Sequence, residues 1–129
     1  MKRTAIILGA SIALGAAGIA LVPSFAQTAP NAGAQAFNTC KACHTLNKGG
    51  RNGLGPNLNG LFGRQAGTVA GFNYSPAMKA SKLRWDDATL NVYLAAPTKK
   101  VPGSRMPIGV PDGARRAALI AYLKVETAK

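Results

Sequence analysis

Apolar and polar positions change rhythm several times along the chain. Ala5 to Val22 is an apolar run diluted by Gly9, Ser11, Gly15 and Gly18 and preceded by Lys2-Arg3. From Ala32 to Cys40 an Ala-rich segment with Phe37 as its large apolar member predicts a short helix, weakened by Gly33. Gly49 to Gly71 carries repeated glycines and Gly55-Pro56, which is loop chemistry. Asp86 or Asp87 offers a carboxylate to cap a helix whose Leu90, Tyr93 and Leu94 share one face, and Pro97 ends it. Pro102-Gly103-Ser104-Arg105-Met106-Pro107 excludes helix interior, and Asp112 opens a last helix with Ala117, Ile120, Ala121 and Lys124 at helical spacing. No alternating strand run of useful length occurs. The pattern predicts an all-α protein without internal repeats, its helices held around long loops.

A chain of 129 residues bounds the molecule to a single domain. Its N-terminal run reads as an export signal: a basic start, a modest apolar stretch, then Pro23-Ser24-Phe25-Ala26 with small residues where a signal peptidase cuts. Residues 1–26 are therefore expected to be cleaved, leaving 27–129 as the mature domain. A retained membrane anchor is the other reading, because eighteen apolar residues approach the short limit for a bilayer span.

Composition adds a hint of a cofactor. Four Phe, three Tyr and one Trp stand against 15 Gly and eight Pro, so a core of side chains alone is thin unless something bulky fills it. Two cysteines cannot form the bridge network of a small secreted scaffold, and no second cysteine pair completes a zinc site.

Those cysteines lie in Cys40-Lys41-Ala42-Cys43-His44. In an exported chain this C-x-x-C-H spacing is the attachment signal of a c-type haem: both thiols add to vinyl groups and the adjacent imidazole is held on the iron. A thioredoxin-type dithiol is the competing reading, but it needs a strand-rich fold that the pattern does not supply.

An iron bound by His44 has a sixth position, and the chain has no second histidine. After signal removal only Met78 and Met106 carry thioethers. Met106, in a rigid segment between Pro102-Gly103 and Pro107, is the expected ligand, while Met78 reads as an apolar space-filler. Two filled axial positions suit electron transfer better than catalysis, and a thioether raises the potential.

From Gly33 to Lys124 the chain resembles the small class I c-type cytochromes, the mitochondrial type and its soluble bacterial periplasmic relatives. The likeness runs through Gly33, Phe37, Cys40-Lys-Ala-Cys-His44, Leu54-Gly-Pro-Asn-Leu-Asn-Gly-Leu-Phe-Gly-Arg64 and Gly71-Phe-Asn-Tyr-Ser75. It continues through Trp85, Tyr93-Leu94, Pro97, Pro102-Gly-Ser-Arg-Met106 and Leu119-Ile-Ala-Tyr-Leu123. The resemblance implies a monohaem cytochrome c fold wrapped around one haem c, covalent through Cys40 and Cys43, with His44 and Met106 as axial ligands. It implies that the Pro56 carbonyl accepts the other imidazole proton of His44. It also makes Arg64, Tyr74 and Trp85 donors around the inner haem propionate and sets Tyr93 beside the Met106 sulfur. Met78 and Ile108 depart from the mitochondrial pattern, which has Asn and an aromatic there. Together with the export signal, these departures fit a bacterial periplasmic member.

The expected function is soluble one-electron transport, respiratory or photosynthetic, with no bond of a substrate made or broken. Without Lys2 and Arg3 the chain keeps 14 basic against 4 acidic side chains. Lys41, Lys48, Lys99, Lys100 and Arg105 flank the expected haem edge and suit transient docking to acidic faces. The expected partners are a quinol–cytochrome c oxidoreductase, a terminal oxidase, a reaction centre or a periplasmic dehydrogenase. Aromatics are not interleaved with the basic residues, so nucleic acid is not an expected partner, and a monomer is expected. The alternative is a haem protein with a displaceable sixth ligand, acting as a peroxidase or gas sensor.

Overall fold

The computed structural model describes residues 30–129; the expected signal segment, residues 1–26, and its cleavage point lie outside them. Side-chain caps decide where three of the helices begin. Asp86 accepts from Thr89 N at 2.7 Å and Asp112 from Arg115 N at 2.6 Å, starting α3 (Asp87–Ala95) and α5 (Gly113–Glu126). Ser75 caps the short α2 (Pro76–Ala80) through Met78 N, with Pro76 in the first turn, where its missing N–H costs nothing. The apolar spacing does not predict this five-residue element, whose local signal is Ser75-Pro76 itself.

α1 (Pro30–Phe37) starts earlier and stops sooner than expected. Beyond Phe37 the chain continues in tight turns, with Cys40 N and Lys41 N both bonded to Phe37 O at 2.8 and 3.2 Å. Pro97 does end α3, but it also opens α4 (Pro97–Lys100), because proline is compatible with a first helical turn. Among the described residues the architecture is all-helical, with a single isolated antiparallel bridge between Gln65 and Arg84, and no helix is long and apolar enough to cross a membrane.

The principal helix contact is α1 against α5, and Gly33 makes it possible: a Cβ there would stand 2.4 Å from Tyr122 Cβ and 2.5 Å from Ala118 O. The glycine that weakens α1 as an isolated helix is thus what lets it dock. α3 packs on another side of α5. Consequently α5 buries Ala118, Leu119, Ile120 and Leu123, and only Ile120 of the expected stripe belongs to that set. Ala117, Ala121 and Lys124 are exposed, since burial against two neighbours follows a broad arc instead of the single line the spacing suggested. Ala36, Phe37, Leu61, Ala66, Met78, Trp85, Leu90, Tyr93, Leu94 and Val101 complete the buried cluster.

The long loop is pinned at both ends. Asn57 Nδ2 donates to Thr45 Oγ1 at 2.7 Å and Asn47 O at 3.0 Å, so one amide closes the turn after His44. Gly60 N reaches Thr127 O at 2.7 Å, tying the loop to the end of α5, and Gly63 N and Trp85 N exchange bonds with Trp85 O and Arg64 O at 2.7 and 2.9 Å.

Candidate haem site

Cys43 N and His44 N both bond to Cys40 O, at 3.0 and 2.9 Å, so one helical turn sets the two thiols and the imidazole in fixed order. Both thiols are free and half-buried. Burial pushes the Cys40 thiol up, and the nearby Arg115 charge pulls it back in part. His44 Nδ1 lies 2.7 Å from Pro56 O. A carbonyl only accepts, so Nδ1 carries the proton and Nε2 keeps its lone pair for a metal. Burial also lowers the His44 pKa, against the pull of the Pro56 carbonyl, which leaves the ring neutral at pH 7.

The loop that delivers Pro56 lies against the imidazole. Gly55 N bonds to Cys43 O at 2.9 Å, and a Cβ on Gly55 would stand 2.3 Å from His44 Cε1 and 2.7 Å from both ring nitrogens. Only a residue without a side chain permits that approach. In the sequence Gly55-Pro56 signals only a loop; the contact of Gly55 with the imidazole has no local signal.

A second group forms around Met106. Trp85 and Tyr93 are buried with ring centroids 5.0 Å apart, Tyr93 Oη lies 3.0 Å from Ser104 Oγ, and Met106 N donates to the same Oγ at 3.3 Å. Ser104 therefore holds both the phenol and the Met106 backbone, a role that spacing alone does not reveal. Burial raises the Tyr93 phenol pKa, partly offset by this bond. Met78, in contrast, is core, with its sulfur 3.9 Å from Ser81 Oγ.

Arg64 and Tyr74 form the third group. Arg64 donates to Asn59 O at 2.7 Å and Asn57 O at 3.2 Å; burial lowers its pKa and raises that of Tyr74, and each charge opposes the other's shift. The Asn57 contact links this pair to the Pro56 loop, while Arg105 Nη1 donates to Asn73 O at 3.2 Å and links it to Met106. Cys40, Tyr74 and Met106 all pack on the same buried core.

This donor set fits haem c. Two free thiols in one C-x-x-C turn, a neutral imidazole and a thioether are the kinds of group that could anchor and ligate such a cofactor. Among the described residues no cluster of three His, Cys, Asp or Glu forms.

Residues 30–125 match the sequence model of the family described as Cytochrome c. The chain belongs to the cytochrome c family. Cytochrome c2 of Rhodoblastus acidophilus is 50% identical over 95 residues, 73% of this chain and 89% of that one. Cytochrome c of Gossypium barbadense is 48% identical over 110 residues, 81% of this chain and 99% of its own. The cytochrome is similar over 94 residues, at 49% identity, to the cytochrome cy of Rhodobacter capsulatus, covering 71% of this chain and 46% of that protein. Like its family, this cytochrome is a one-electron carrier and not an enzyme, and its cofactor is one haem c bound covalently through cysteines.

Proposed function

We propose that this cytochrome carries single electrons in the bacterial periplasm between a quinol-oxidising complex or dehydrogenase and a terminal oxidase or reaction centre. In this reading Cys40 and Cys43 anchor the haem, His44 and Met106 bind the iron axially, and Arg64, Tyr74 and Trp85 neutralise and hold the inner propionate. The observation that carries it is the His44 Nδ1 bond to Pro56 O at 2.7 Å, which leaves the Nε2 lone pair available to a metal beside two free thiols. Bound haem supplies the one-electron couple. The protein's task is then to hold the ligands still and to present a docking surface.

Each of those tasks has residues assigned to it. Pro56 and Gly55 fix the imidazole plane, and Ser104 fixes the backbone of the Met106 segment. Trp85 and Tyr93 exclude water beside them. Lys41, Lys48, Lys99, Lys100 and Arg105 are exposed and suit acidic docking faces of the partners. The acids are occupied elsewhere: Asp86 and Asp112 cap helices, Asp87 pairs with Lys124, and Glu126 pairs with Lys129.

Visible spectra of protein exported from a host that attaches haem, with Met106→Ala alongside, test the reading. The expected result is covalent low-spin haem whose Met-to-ferric-iron absorption band is lost in the variant. Covalent haem without that band in the parent protein shifts the function toward a displaceable sixth ligand, and exported protein without haem overturns the reading.

A further inference from the structure

One peptide plane beside His44 is gripped from both sides. Its carbonyl, that of Pro56, lies 2.7 Å from His44 Nδ1, and its N–H, that of Asn57, donates to Asn52 Oδ1 at 2.9 Å. The half-buried Asn52 amide has a second bond at its other end, where Nδ2 donates to Ala70 O at 3.1 Å. A backbone N–H facing one end and a carbonyl facing the other leave that amide a single orientation. The segment carrying Asn52 is itself fixed: Gly55 N bonds to Cys43 O at 2.9 Å, and a Cβ on Gly53 would stand 2.9 Å from the same oxygen.

Asn52 reaches a turn with few other ties. Residues 69–74 bond among themselves through Phe72 N to Val69 O at 3.4 Å and Tyr74 N to Phe72 O at 3.2 Å. Among the described residues two hydrogen bonds leave this turn: that of Asn52 Nδ2 to Ala70 O, and that of Arg105 Nη1 to Asn73 O at 3.2 Å. The first comes from the His44 side and the second from the residue before Met106.

We propose that Asn52 is a positioning residue that couples the two axial-ligand segments. Its oxygen holds the peptide that orients His44, and its NH2 group steadies Met106 through the 69–74 turn and Arg105. The coupling rests on the carrier reading, in which His44 and Met106 bind the iron. Hydrogen bonds in series polarise one another, so an Asn57 N–H that donates to Asn52 makes the Pro56 carbonyl a better acceptor for the imidazole. The site also demands an amide. Asp has the same size but only accepts, so it keeps the Asn57 N–H and turns an acceptor toward the Ala70 carbonyl; Ala serves neither side.

Asn52→Asp and Asn52→Ala, made in the holoprotein, separate the two halves of the coupling. Free imidazole in excess over the ferric protein replaces the Met106 thioether on the iron, one bond breaking and one forming with no change of oxidation state. Its limiting rate reports how often Met106 lets go. Both variants are expected to speed this step by about threefold to tenfold, the factor one ordinary hydrogen bond is worth. Solvent exchange of the His44 Nδ1 proton, followed by nuclear magnetic resonance in the ferrous protein, should stay at the parent rate in Asn52→Asp and quicken in Asn52→Ala. In an Arg105→Ala background, Asn52→Ala should speed Met106 release by less than about twofold, since the route between them is already cut.

A merely structural asparagine would lower the unfolding midpoint and move both readouts together in both variants, which overturns the proposal. Met106 release at the parent rate in both variants overturns it too, as does an Asn52→Ala effect that persists undiminished without Arg105. If Asn52→Ala attaches no haem, Asn52→Asp alone decides: faster Met106 release beside an unchanged ring proton supports the coupling, and any other combination refutes it. A parent protein without the Met-to-ferric-iron band tells against the carrier reading instead, and the ring-proton exchange still decides whether Asn52 holds the His44 peptide.

Discussion

Gly33 and Tyr122 meet so closely that the Tyr122 Cβ would lie 2.4 Å from a Cβ at position 33. By helix propensity, Gly33→Ala should stabilise α1 by about 1 kcal/mol. The contact reverses the sign, because α1 and α5 must separate to admit the methyl, and overpacking of this kind costs about 1–3 kcal/mol. The expected net result is destabilisation, read from the denaturant midpoint of the holoprotein. A midpoint that rises in Gly33→Ala would show that the helices have room to part.

The same logic applied at the site predicts a local defect. A methyl at Gly55 would stand 2.3 Å from His44 Cε1, between the Pro56 loop and the ring. Gly55→Ala is expected to displace the imidazole, weaken its bond to the Pro56 carbonyl and lower the yield of low-spin haem protein more than it lowers helix content. Haem yield and far-ultraviolet circular dichroism, measured on one preparation, separate the two effects.

Burial ranks the surface and the core in opposite order to their visual prominence. Lys124 and Asp87 approach to 2.6 Å, but both side chains are 58% exposed, so Asp87→Asn should cost less than about 1 kcal/mol. Leu119 makes no charged contact and is 0% exposed, and Leu119→Ala should cost about 2–5 kcal/mol through lost transfer energy and the cavity left behind. Equal effects from the two substitutions in urea unfolding would contradict this ordering.

Much of this was legible in the sequence because it is local. Cys40, Cys43 and His44 act within one turn, and Asp86 and Asp112 cap the helices that immediately follow them. What escaped depends on distant partners. Gly33 reads as a flaw in α1 until Tyr122 arrives from α5, and Arg115 reads as solvated charge until the fold carries it to Thr39. Ser104 looks like an ordinary loop serine, yet it bonds Tyr93 and the backbone of Met106. The buried arc of α5 is wider than its spacing implies because one helix's periodicity does not say how many neighbours will cover it.

Acid stability should trace to one cap. The Asp86 carboxylate is held below its ordinary pKa chiefly by the Thr89 backbone N–H, with the Thr89 side chain helping. A depressed folded-state pKa means that the unfolded chain binds a proton more readily. The stabilising contribution of Asp86 is therefore complete above the unfolded carboxylate pKa and is lost as pH falls through the lower folded value. Asparagine caps helices about as well without titrating, so Asp86→Asn keeps the hydrogen bond to Thr89 N and removes the pH dependence. Thermal unfolding from pH 6 down to pH 2 should show the parent midpoint falling more than that of Asp86→Asn, with the curves diverging as pH falls through the ordinary carboxylate range. Asp86→Ala loses the cap at every pH and should start lower at pH 6, with its deficit shrinking in acid as the parent's own carboxylate protonates. Parallel curves for the parent and Asp86→Asn would mean that the acid sensitivity originates at another carboxylate.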